Sequence, residues 1–114
     1  MWWQAAGIAG ALAVALGAFG AHGLEDKVTP ERLATWETAA RYHLVHAVAL
    51  GLVALHPSAP RWAGVCFLLG ILLFSGSLYV LVLTDKGWFG AIAPLGGLSF
   101  IAGWIGLALS RAPG

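Results

Sequence analysis

The sequence predicts an all-α membrane protein. Its expected form is a bundle of four transmembrane helices, with the second helix extended outside the bilayer as an amphipathic segment. Three observations predict this. Hydrophobic residues make up 60% of the 114 residues and charged residues 10%, with mean hydropathy +0.84. A soluble domain carries about 25% charged residues, so there are too few charges here to cover a surface facing water. Four apolar stretches are free of Asp, Glu, Lys and Arg. Most of the polar chemistry is gathered between Gly17 and Ala47, which holds three of the four His, four of the five acids and three of the six Lys and Arg. The length suits one domain, residues 1–114.

The first span is expected over about 3–22. A stretch of this length crosses a hydrocarbon layer of about 30 Å at 1.5 Å per residue. No Lys or Arg precedes it, so a secretory leader with a positive n-region is not indicated, and the segment reads as a retained helix. Gly10, Ala13, Gly17 and Ala21 recur at spacings of three and four, a face on which another helix can approach closely. Packing within the chain is the expected use of that face. Gly23 reads as a C′ residue that would take positive φ.

Thr29-Pro30 reads as an N-cap followed by N1, with Glu31 in the first turn. Neither Gly nor Pro interrupts Glu31–Leu50, so one helix is expected from Pro30 to about Leu55. Its first part sets Leu33, Trp36 and Ala40 against Glu31, Arg32, Glu37 and Arg41. That amphipathic part is expected at the interface or above it, and the span proper over about 41–56. His56-Pro57-Ser58-Ala59-Pro60 breaks the chain. The third span is expected over about 62–84 and the fourth over about 88–110. Pro94 with Gly96-Gly97 should kink or loosen the start of the fourth. Ser99, Gly103, Gly106 and Ser110 form a second small-residue stripe. Trp2, Trp3, Trp62 and Trp88 fall near span ends, as an aromatic belt requires.

Four spans place both termini on one side and the first and third loops on the other. Lys27, Arg32, Arg41 and Lys86 fall on the loop side, against Arg61 and Arg111. That count favours cytoplasmic loops. Each loop cation has an acid nearby, however, so the residues do not choose an orientation.

Chemistry, where there is any, should centre on a polar cluster of His22, Trp36, Glu37, Arg41, Tyr42, His43 and His46. His22 leaves the first span and His43 and His46 enter the second, so all three imidazoles are expected at one rim of the bilayer. His43 and His46, three apart, share a helix face, and Glu37 and Arg41 have the i, i+4 order of a helical ion pair. Ionisable groups at membrane depth are costly unless they meet a partner or water, so the cluster is expected to turn inward. The leading reading is a structural hydrogen-bond network. One alternative is a metal or haem site built from His22, His43 and His46. Another is binding or transport of a proton, lipid or small ligand beside them. No cofactor is expected. With a net charge of +1 and no basic run, nucleic acid is not an expected partner. The single Cys66 excludes an intrachain disulfide and reads as a small apolar side chain. No nucleophile with an evident base, phosphate loop or dinucleotide fingerprint is visible, so an enzyme is not expected. The expected role is an accessory or scaffold protein. Its partners are the lipid bilayer and, through the small-residue faces, a further copy or a larger membrane complex.

Gly17-Ala18-Phe19-Gly20-Ala21-His22-Gly23-Leu24, followed by Trp36, Thr38, Ala39, Tyr42, His43, His46 and Ala47, resembles a known family. It is similar to the small four-span membrane proteins of domain-of-unknown-function family 423, the YgdD-like and transmembrane protein 256-like proteins. Phe74-Ser75-Gly76-Ser77-Leu78-Tyr79 and Ala93-Pro94-Leu95-Gly96-Gly97 also fit. The resemblance covers nearly the whole chain. It implies four helices and a bacterial plasma (inner) membrane or organellar membrane location, and it implies no activity.

Overall fold

The computed structural model describes residues 1–112, and among them it is helical without a strand. In chain order the elements are α1 (Trp2–Gly23), α2 (Pro30–Leu55), α3 (Arg61–Gly70), a π-helical segment (Ile71–Gly76), α4 (Ser77–Thr84), a 3₁₀ turn (Gly87–Ala91) and α5 (Ala93–Leu109). They compose four helices long and apolar enough to cross a membrane: Trp2–Gly23, Pro30–Leu55, Arg61–Thr84 and Gly87–Leu109. The protein is an integral membrane protein with its apolar surface in the lipid bilayer.

Local chemistry explains the helix ends. Thr29 Oγ1 accepts the Arg32 backbone N–H at 3.2 Å, and Pro30 needs no donor at N1. Glu31, Glu37 and Arg41 lie on the exposed face of α2, while Trp36, Ala39 and Ala40 are buried. Asp85 ends α4 in the left-handed region at φ 56°, which a short polar side chain tolerates. Before Pro94 the fourth span is a 3₁₀ turn, so proline sits in the first turn of α5 instead of breaking it. Gly23 departs from expectation. It stays within α1, and Leu24 follows it at φ −102°, so this helix ends without a left-handed cap. The loop is held instead by Leu24, which is buried and whose carbonyl accepts Lys27 N–H at 2.9 Å.

The stripe on α1 serves packing within the chain. A Cβ at Gly10 would lie 3.9 Å from that of Ala47, one at Gly17 3.8 Å from Ala40, and one at Gly51 4.0 Å from Ala6. The two helices therefore run antiparallel in one continuous register, and extending it leaves only the first turn of α2 beyond Gly23. Closer to the loop, a Cβ on Gly20 would collide with the Trp36 indole, so only glycine admits that ring. The stripe on α5 does the same work against α3. Gly103 faces Phe67, and Ser99 Oγ donates to the Cys66 carbonyl at 2.7 Å.

α2 is the hub: it packs on α1, α3, the π segment and α4, whereas α5 packs on α3 and the π segment. Its buried seam is Trp36, Ala39, Ala40, His43, His46, Ala47, Ala49, Leu50 and Val53. Two clusters make the core, one around Leu50, Phe67 and Phe100 and the other around Trp36, Tyr79 and Val82. α1 is the outermost helix, with only 17% of its apolar window buried.

Candidate functional site

The buried polar side chains cluster on the α2 seam, and α2 sends its two histidines to different walls. Residues three apart differ by about 60° around a helix, so a shared face still fans out. His43 Nδ1 lies 2.9 Å from the Tyr79 hydroxyl of α4. His43 is 4% exposed and Tyr79 9%. Tyr79 in turn packs on Trp36 with ring centroids 4.6 Å apart. The Trp36 indole N–H donates to the Leu16 carbonyl at 2.7 Å, which ties α2 to α1.

His46 faces α5. Its Nδ1 lies 2.7 Å from the Tyr42 carbonyl, and the Trp104 indole N–H reaches its Nε2 at 3.0 Å. A carbonyl only accepts and an indole N–H only donates, so both bonds require the neutral ring protonated at Nδ1. The imidazole also stacks on Phe100, with centroids 3.5 Å apart and planes 9° from parallel. Phe67 and Trp104 flank the imidazole at 5.7 and 5.9 Å and meet each other edge-on at 5.0 Å. Two serines complete the buried set: Ser75 Oγ donates to the Ala39 carbonyl at 2.7 Å and Ser77 Oγ to the Phe74 carbonyl at 3.0 Å. Among the described residues, no buried side-chain nitrogen or oxygen lacks a partner.

The expected convergence of His22, His43 and His46 at one rim does not occur. In the α1–α2 register His43 comes abreast of Val14, mid-way along α1. His22 is eight positions further along, about 12 Å at 1.5 Å per residue. His22 is exposed and makes no side-chain hydrogen bond among the described residues. No three His, Cys, Asp or Glu among those residues could hold one metal ion. Glu37 and Arg41 also stand outside the network. Both are exposed, and the ion pair that forms joins Arg32 to Asp85 at 2.9 Å. Long side chains on an exposed face gain little by pairing with each other. Tyr42 contributes its backbone carbonyl, and its ring lies 4.9 Å from that of Phe74.

The sequence reading missed Tyr79, Trp104, Phe100 and Ser75. Two of them carry a legible signal. A Tyr and a Trp placed within apolar spans, away from the interface where they usually sit, need partners for O–H and N–H. His56, at the break between the second and third spans, lies apart from the other histidines, 3.3 Å from Ser110 Oγ.

Residues 16–97 match the family model described as "Protein of unknown function (DUF423)". The UPF0382 membrane protein YwdK of Bacillus subtilis is 48% identical over 100 residues, 82% of this chain and 81% of its own. A UPF0382 membrane protein of Staphylococcus epidermidis is 44% identical over 103 residues, 87% and 84% of the two chains. One from Schizosaccharomyces pombe is 41% identical over 110 residues, 90% and 93% of the two chains. No solved structure matches the chain. With four apolar helices and matches that span most of both chains, this protein belongs to the DUF423 family of small membrane proteins.

Proposed function

We propose that the protein is a non-enzymatic membrane scaffold or accessory subunit that acts through its helix surfaces, as a homo-oligomer or within a larger membrane complex. One observation carries this reading: the interior polar groups already have partners within the chain. His43 Nδ1 is engaged by Tyr79, and both nitrogens of His46 are engaged by Tyr42 and Trp104, so the two buried imidazoles serve as struts between helices. What the spans offer outward is apolar. Gly7, Gly10 and Gly51 lie in the floor of an α1–α2 groove of about 510 Å³, between the larger Trp3, Leu44 and Leu52. Small residues between larger ones let another helix approach closely in lipid. The test is cysteine cross-linking in native membranes, with Gly7→Cys in a Cys66→Ala background. A cross-linked dimer or a reproducible adduct supports the reading. A monomer in native lipid, confirmed by native mass spectrometry, rejects it.

A second reading has one observation in its favour. A cavity of about 650 Å³ opens beside His46, lined by Tyr42, Phe74, Gly97, Phe100 and Trp104. An aromatic cleft of that size suits a lipid or other apolar small molecule. Lipid extracted from the purified protein and identified by mass spectrometry checks it, and Gly97→Leu should displace such a ligand. Recovery of the same lipid from wild type and from Gly97→Leu would reject this second reading.

A further inference from the structure

One polar cleft lies outside this network. It opens at the membrane face where α1, α2 and α4 end, and measures about 480 Å³. Its charged walls are Asp26, Lys27, Arg32 and Asp85, and its apolar wall includes Val82 and Leu83. Arg32 Nε and Asp85 Oδ1 close one edge at 2.9 Å. The opposite edge is the α1–α2 loop, whose Lys27 N–H and Val28 N–H both donate to the carbonyl of the buried Leu24.

We propose that this cleft holds the headgroup of a phospholipid of the phosphatidylethanolamine class, a phosphate diester ending in a primary ammonium. Three features select that occupant. The cleft sits where the spans end, at headgroup depth, and Leu83, 61% exposed, continues its apolar wall toward the acyl chains. Two cations and two carboxylates line it, so a phosphate beside an ammonium is its charge complement. A purely anionic head would set its charge against Asp26 and Asp85 with nothing to meet them. The carboxylates also accept hydrogen bonds, which a primary ammonium donates and a quaternary one does not. Lys27 and the guanidinium of Arg32 would take the phosphate, Asp26 and the outer oxygen of Asp85 the ammonium. This inference is independent of the scaffold reading.

The test uses the full chain in lipid-free detergent. Its thermal midpoint is followed against dihexanoyl phosphatidylethanolamine, the matching phosphatidylcholine and phosphatidylglycerol, and chainless phosphoethanolamine. The expected result is half-saturation by the ethanolamine lipid at about tenfold lower concentration than by the other two lipids, the effect of one charge-assisted hydrogen bond. Phosphoethanolamine should be without effect. Asp26→Asn and Lys27→Gln alter exposed side chains that make no side-chain hydrogen bond among the described residues. Each should leave the unliganded midpoint in place and reduce the preference at least several-fold. Equal or stronger response to phosphatidylglycerol, or an undiminished preference in Asp26→Asn, overturns the proposal. A phosphoethanolamine response equal to that of the lipid overturns its assignment to a membrane ligand.

Discussion

The Trp104 indole N–H donates to Nε2 of His46 at 3.0 Å, and this bond leaves Nδ1 as the protonated nitrogen that reaches the Tyr42 carbonyl. One imidazole thereby locks α5 onto α2 while satisfying the backbone of its own helix. Trp104→Phe keeps most of the ring and removes the donor. Interhelical hydrogen bonds in membranes average about 0.6 kcal/mol and reach about 1.7. We expect a loss in that range by reversible unfolding in detergent. His46→Ala also removes the stack on Phe100 and opens a cavity, so it should cost more, about 2–5 kcal/mol. In a double-mutant cycle the two losses should be less than additive. Full additivity would show that the bond carries no energy.

His43 and His22 should behave oppositely, although both stood out in the sequence. His43→Ala removes a ring that is 4% exposed and strands the Tyr79 hydroxyl, at a cost of about 1–3 kcal/mol. Tyr79→Phe should reproduce part of that loss. His22→Ala touches an exposed side chain and should change stability by less than about 0.5 kcal/mol. Equal losses for the two alanine variants would contradict the placement of His22 outside the network.

Gly20 and Gly7 separate packing within the chain from packing outside it. A methyl group on Gly20 would meet the Trp36 indole, so Gly20→Ala should cost about 1–3 kcal/mol. At Gly7 nothing lies within 4 Å of a Cβ, so Gly7→Leu should leave the monomer's thermal midpoint unchanged. If the α1–α2 groove seats another helix, the same change should lower the yield of cross-linked product in membranes. A destabilised Gly7→Leu monomer would mean that the groove is filled from within the chain.

The Arg32–Asp85 pair spans 53 residues and joins the first turn of α2 to the end of α4 on one membrane face. Side-chain exposures of 32% and 80% keep it in high dielectric, where such pairs contribute about 0–1 kcal/mol. Asp85→Asn should therefore lower stability by less than 1 kcal/mol. The difference should vanish near 1 M salt, where screening acts within about 3 Å. A loss of several kcal/mol that persists in high salt would mark the pair as effectively buried.

Much of the architecture was legible in the chain. Four charge-free runs, the Thr29-Pro30 start, the break at His56–Pro60 and the disruption at Pro94 each follow from constraints that act within a few residues: caps, fixed φ, and the length of apolar helix a bilayer demands. The small-residue faces of α1 and α5 were legible as faces, and the chain itself uses both. The site was legible only in part. His43 and His46 stood out because histidines within an apolar run need partners, but those partners, Tyr79 and Trp104, lie 36 and 58 positions away.

Composition and local pattern thus determined that this protein is four helices in a membrane and that α2 carries polar groups needing company. Tertiary structure alone decided that His43 turns to α4, that His46 turns to α5, and that His22 joins neither. The reason is geometric. Sequence spacing sets the angle of a side chain around its own helix, whereas its neighbour depends on how far one helix slides along another. That slide is set by Gly20 against Trp36 and Gly103 against Phe67, contacts between residues that no local pattern connects.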